Sequence, residues 1–182
     1  MEILLAFTPF IVFVIAEKLV GVTTGLVSGA AIAALLLLRA AITHRSLKVL
    51  EVGTLILFSG LAIYAKIANP AWSIIAVRLR VDAGLLLVVL NSLALRRPFT
   101  LQYAREQVSP EIWSSPQFIR TNYIITAVWA AAFAIMVIAE ASILYMPTLS
   151  PRVGIIVTVL AIYGAFRFTD TYPRRLRQRI SA

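Results

Sequence analysis

Cysteine is absent from the 182 residues, and histidine occurs once, as His44. The first absence excludes disulfides, thiol catalysis and cysteine-ligated metal or iron–sulfur centres. The second excludes a bis-histidine haem and any histidine-cluster metal site. Acidic residues are also scarce, 8 Asp and Glu against 17 Lys and Arg, which leaves a net charge of +9. No polar stretch is long enough to fold as a separate soluble domain. A Walker loop, a dinucleotide fingerprint, metal-ligand spacing and a nucleophile–base pairing are all missing. Neither a metal nor a cofactor is therefore expected.

What remains is apolar. Hydrophobic residues make up 60% of the chain and the mean hydropathy is +0.90. In a soluble protein so basic a charge balance would point to nucleic acid. Here the hydropathy overrides that reading, and the excess charge is assigned to loops that set topology and meet anionic lipid. Six segments have spanning or near-spanning length: about residues 3–16, 19–38, 52–67, 72–95, 123–145 and 153–168. The breaks fall at Glu17-Lys18, at Asn69-Pro70, at Pro147 and at Pro173. The expected fold is all-α, a polytopic integral membrane helical bundle of about six transmembrane helices. It forms one domain over residues 1–182.

The basic residues orient the bundle. Six spans put Arg39, Arg45, Lys48, Arg96, Arg97, Arg105, Arg120, Arg167, Arg174, Arg175, Arg177 and Arg179 on one side. Lys18, Lys66, Arg78, Arg80 and Arg152 fall on the other. The positive-inside rule then places both termini in the cytoplasm. The loop of residues 96–122 interleaves Phe99, Leu101, Tyr103, Trp113 and Phe118 with arginines. It reads as a cytoplasmic interfacial segment, aromatics among the headgroups and Arg97, Arg105 and Arg120 on phosphates. Within it Ser115-Pro116 starts the fifth span, serine as cap and proline at the first helical position. The tail of residues 173–182, with Arg174 and Arg175, is a basic anchor at the lipid surface.

Five ionisable residues sit inside the apolar segments: Glu17, Arg78, Arg80, Asp82 and Glu140. An ionisable group at membrane depth costs about 2.5 to 3.5 kcal/mol on insertion scales, so it is paired, interfacial or lining a cavity. The topology puts all five in the outer leaflet, as a candidate polar pocket. Arg78 and Asp82 lie four apart on one helix face and are expected to pair, which leaves Arg80 for Glu17 or Glu140. Gly21, Gly25, Gly29 and Ala33 recur every four residues, the small-residue spacing that lets another helix approach closely. Packing within the monomer is preferred to a homodimer face, because a tight turn ties the first span to the second. His44 reads as an exposed loop residue.

Single residues in order also carry a resemblance: Pro9 and Phe13, Lys18 and Gly21, His44-Arg45 with Leu47-Lys48, then Arg97-Pro98-Phe99, Ser109-Pro110, Trp113, Asn122 and Trp129. Over roughly residues 1–135 the chain resembles the intracellular septation protein A family of bacterial inner-membrane proteins. The family pattern ends before this chain's last span and basic tail. The resemblance implies a multi-pass envelope or division protein of the bacterial inner membrane, and it supplies no catalytic residues. The leading expectation is a non-enzymatic protein of envelope maintenance or septation. The alternative is a small transporter or membrane enzyme acting on a lipid-soluble substrate at Glu17, Asp82 and Glu140. The expected partners are membrane lipids with anionic headgroups, a second copy of the chain or other membrane proteins, and no nucleic acid.

Overall fold

The computed structural model describes residues 5–146 and 148–180, the last four of these by backbone alone. Among the described residues the chain is helical, with no strand. Each apolar segment becomes a helix: α1 Thr8–Leu19, α2 Val22–Ile42, α3 Val49–Ala68, α4 Ile74–Ala94, α6 Pro116–Tyr145 and α7 Pro151–Ile180. Between α4 and α6 lie a short α5, Phe99–Arg105, and a 3₁₀ turn, Pro110–Ile112. Four helices, Val22–Ile42, Val49–Ala68, Pro116–Tyr145 and Pro151–Leu176, are long and apolar enough to cross a membrane, and they point to a membrane protein. The 12 residues of α1 rise only about 18 Å. α4 has the length, but Arg78, Arg80 and Asp82 interrupt its apolar run.

Local chemistry sets the ends. Gly21 takes φ 130° between α1 and α2, a conformation in which a side chain would be strained. Asn69 closes α3 in the left-handed region at φ 40°, just before Pro70. The Ser73 hydroxyl accepts the Ala76 N–H at 3.2 Å and caps α4. Ser115 and Pro116 stand at the cap and first position of α6, though the serine hydroxyl makes no cap hydrogen bond. The expected stop at Pro173 does not occur: α7 continues through it. Pro173 removes the N–H that would meet the Thr169 carbonyl. Across that gap Arg174 reaches Asp170 at 2.7 Å, one turn back, and the Thr171 hydroxyl donates to the Arg167 carbonyl.

The chain divides into two compact units, Met1–Val88 and Val89–Ala182. In the first, α1 packs on α2 and α2 on α3. Its core joins Phe13, Leu26, Phe58, Val77 and Val81. Phe58 is the hub, with ring centroids of Phe10 and Phe13 at 5.0 and 5.4 Å. Gly29 makes room for it: a Cβ there would stand 2.9 Å from the Phe58 ring.

In the second unit α5 packs on α6, and α6 on α7. Trp129 is wholly buried, edge-on to Phe166 at 4.9 Å and to Phe99 at 6.4 Å. Its indole N–H donates to the Thr169 hydroxyl at 3.1 Å, and that hydroxyl donates in turn to the Ala165 carbonyl. The Thr100 hydroxyl donates to the Asn122 carbonyl at 2.9 Å and lies 2.7 Å from that of Thr126. These contacts correct the reading of the loop aromatics. Phe99, Leu101 and Tyr103 are buried, not laid among headgroups, because α5 turns its apolar face onto α6.

Candidate functional site

Glu17 closes α1 beside the α1–α2 turn, and Arg78 lies one turn into α4. The Arg78 Nε–H donates to Glu17 Oε2 at 3.2 Å. The Glu17 side chain is fully buried and that of Arg78 is 28% exposed. The pair therefore has a covered acid and a base that reaches the surface. Glu17 Oε1 is buried and accepts no hydrogen bond within the described residues. The acid is pinned from behind as well: a Cβ on Gly25 would meet Glu17 Cβ at 2.9 Å and its backbone at 3.0 Å. Glu17 thus sits where three helices meet, with Gly25 allowing the close approach and Arg78 neutralising the charge.

This differs from the pairing expected of the sequence. Arg78, not Arg80, holds Glu17. Arg80 folds back on its own helix, donating to the Ala76 carbonyl at 2.6 Å, and its guanidinium lies 4.5 Å over the Trp72 ring. Tyr64 stacks on the same indole at 5.3 Å. The preference has a simple cause. Residues 78 and 80 project about 200° apart on a helix, so only one can face α1. The other is left with the surface aromatics at the helix start. Asp82 is buried on α4, in the first unit. Glu140 is buried on α6, in the second unit, five residues before the helix ends. The first unit thus brings Glu17 and Arg78 into contact and stacks Arg80 on Trp72.

The small residues of α2 separate by role. Gly25, Gly29 and Ala33 are buried on one face, against α1 and α3 through Glu17 and Phe58. Gly21 belongs to the turn, and a Cβ there would meet nothing within 4 Å.

The residues assigned to the lipid interface are exposed. Trp113 holds the Arg105 guanidinium 5.6 Å over its ring, and its N–H donates to the Arg105 carbonyl at 3.1 Å. Arg97 and Arg120 are exposed. In α7 Arg174 engages Asp170, and Arg175 is exposed beside it. Arg177 and Arg179 lie outside the described side chains.

One constellation escaped the sequence reading. Lys48, which the sequence places in a loop, is buried, with 4% of its side chain exposed and its Nζ 3.9 Å from Glu51 Oε1. The signal was present as a Lys and a Glu three residues apart at a helix start, but spacing alone does not show which side faces inward. No group of three or more His, Asp or Glu suited to a metal ion occurs among the described residues. Comparisons with protein-family models, with curated proteins and with solved structures find no match to this chain.

Proposed function

We propose that this chain is a non-enzymatic, multi-pass protein of the bacterial inner membrane that serves envelope maintenance or septation through lipid and protein contacts. The observation that carries the reading is the use made of charge in the first unit. Arg78 is bound to the buried Glu17, and Arg80 to its own helix and Trp72. Arg78 thus joins two helices, and Arg80 is held by its own helix and Trp72. Neutralising Glu17 and Arg78 against each other also lowers the cost of placing α1 and α4 in lipid. On this reading both helices join the four longer ones, giving six spans with both termini cytoplasmic, as the distribution of basic residues favours. The large apolar side chains exposed along the helices, Ile56, Ile63, Leu87, Ile138 and Leu160 among them, then face acyl chains.

The test is complementation. Deletion of the gene in its bacterium should lengthen cells or sensitise the envelope to osmotic shock, and the wild-type chain should restore both. Asp82→Asn and Glu140→Gln, expressed to wild-type levels in the membrane, should restore them too, because neither carboxylate does chemistry. A variant present at full abundance that fails to complement would favour a transporter or a membrane enzyme using these acids. Topology is checked separately. Reporters at Arg45, Gln107 and the C-terminus should read cytoplasm, and those at Asn69 and Thr148 the outer side. A C-terminus on the outer side would overturn the six-span count.

A further inference from the structure

Where α3 finishes and α4 begins, Arg80 stands exposed at the surface of the first unit. Its Nη1 donates to the Ala76 carbonyl, one turn back toward the start of α4. The guanidinium therefore lies nearer the helix end than its own Cα, as a long cationic side chain does when it reaches for a membrane surface. There it rests 4.5 Å over the Trp72 ring, and Tyr64 stacks on the same indole. Trp72 packs in turn against the core of the first unit, which fixes the platform. The bond to Ala76 engages one terminal nitrogen and leaves Nη2 and Nε, in a plane already oriented, for another acceptor. Paired planar donors of this kind match phosphate oxygens. Of the nearby acids, Glu17 is held by Arg78, and the buried Asp82 projects about 200° away on α4.

The apolar surface beside this cation is shaped. Ile56, Gly60, Ile63 and Tyr64 fall within about 100° of arc on α3, and all four are exposed. Gly60 leaves a notch in that face, since a Cβ there would meet nothing within 4 Å. The 20 residues of α3 rise about 30 Å, the hydrocarbon thickness of a bilayer. Tyr64 lies about 6 Å and Gly60 about 12 Å before the end of that helix. The aromatic pair thus falls at the headgroup boundary, where such rings collect, and the notch at acyl depth. We propose that this face binds one phospholipid, its phosphodiester on the Arg80 guanidinium and an acyl chain in the notch at Gly60, between Ile56 and Ile63. A cation above an apolar notch complements an anion carried on a hydrocarbon chain. Free phosphate matches only the cation. The inference rests on the membrane reading given above for its choice of lipid.

The experiment uses the full chain in a mild detergent, with ligand retention followed by native mass spectrometry and folding by thermal unfolding. The probes are dioleoylphosphatidylglycerol, dioleoylglycerol and inorganic phosphate. The wild type should retain the phospholipid and not the diacylglycerol. Arg80→Gln should weaken retention by about tenfold or more. Gly60→Leu fills the notch and should weaken it too. Its melting temperature should stay at or above wild type, because the position is open and leucine is the better helix former. Gly60→Leu therefore decides the matter even where Arg80→Gln lowers the melting temperature. Arg152→Gln, which removes an exposed cation from α7, should retain the lipid unchanged. Equal retention of phospholipid by wild type, Arg80→Gln and Gly60→Leu, or equal retention of diacylglycerol, would overturn the site. Displacement of the lipid by inorganic phosphate at millimolar concentration would overturn the lipid as its ligand and assign Arg80 to the free ion. Failure of the membrane reading shows elsewhere, as recovery of the chain in the soluble fraction of lysed cells without detergent.

Discussion

Arg78 on α4 donates its Nε–H to the carboxylate of Glu17 at the end of α1, across 61 residues of sequence. This contact ties the start of the first unit to its last helix, and its asymmetry is informative. The acid is fully covered, while the base keeps partial access to the surface. Loss of the base therefore strands a buried charge, and loss of the acid strands a cation that can turn outward.

The two single substitutions should accordingly differ. Arg78→Met should destabilise the chain by about 3 kcal/mol or more, the range for a buried ion left without its partner. Glu17→Gln should cost less, because Arg78 reaches the surface. Combining the two should recover much of the Arg78→Met loss. Thermal unfolding of the four proteins in detergent gives the coupling, and additive losses would show that the two side chains do not stabilise each other.

Close approach at α2 gives a graded series. Gly25→Ala sets a methyl group against the Glu17 backbone, which cannot move aside, and should cost about 2 to 3 kcal/mol. Gly29→Ala meets the Phe58 ring instead. It should cost about 1 to 2 kcal/mol, with part of the loss recovered by Phe58→Leu. Gly60→Ala, with nothing within 4 Å of its new Cβ, should be neutral or stabilising by up to about 1 kcal/mol. Melting temperatures in one detergent rank the three, and equal shifts would remove the packing explanation.

These residues also mark how far the sequence could be read. The helices were legible because runs of apolar residues and breakers such as Asn69-Pro70 act locally. The spacing of Gly25 and Gly29 showed that a close approach existed, but not that Glu17 and Phe58 fill it. The Arg78–Glu17 contact is not legible in the sequence, which shows pairs on one helix, such as Arg78 and Asp82, more readily than one spanning 61 residues. Phe99 and Tyr103 stand beside arginines, and that composition alone points to a headgroup interface. Their burial depends on α6, which the loop's own composition does not show. Pro173 predicts a stop by any local rule, since a proline lacks the N–H that the helix needs. The contact from Arg174 back to Asp170 crosses it.

That proline supports a prediction of its own. Pro173→Ala restores an N–H to the Thr169 carbonyl and removes a ring from the helix interior. It should raise the melting temperature, with at most about 3 kcal/mol available from helix propensity. Asp170→Asn should be nearly silent, because an exposed pair four residues apart contributes about 0.3 to 0.5 kcal/mol. A drop in stability for Pro173→Ala would mean that the second unit needs the interruption.

The hydroxyl pair of the second unit has a direction that chemistry assigns. Thr100 carries one hydroxyl proton, and it goes to the Asn122 carbonyl at 2.9 Å. The 2.7 Å contact with Thr126 must then be a bond that Thr126 donates and Thr100 accepts. The two threonines are not equivalent, although both are buried. Thr126→Val removes one donor and leaves Thr100 still bonded to Asn122, so it should cost about 1 kcal/mol. Thr100→Val removes the acceptor of Thr126 and the donor to Asn122 together, at two buried side chains. It should cost about 2 kcal/mol or more. The double variant should cost little more than Thr100→Val alone, since the Thr126 hydroxyl has by then lost its partner. Unfolding of the three proteins under one set of conditions tests the order. If Thr126→Val were the more damaging, the chain of donors would run the other way, and Asn122 would take its proton from elsewhere.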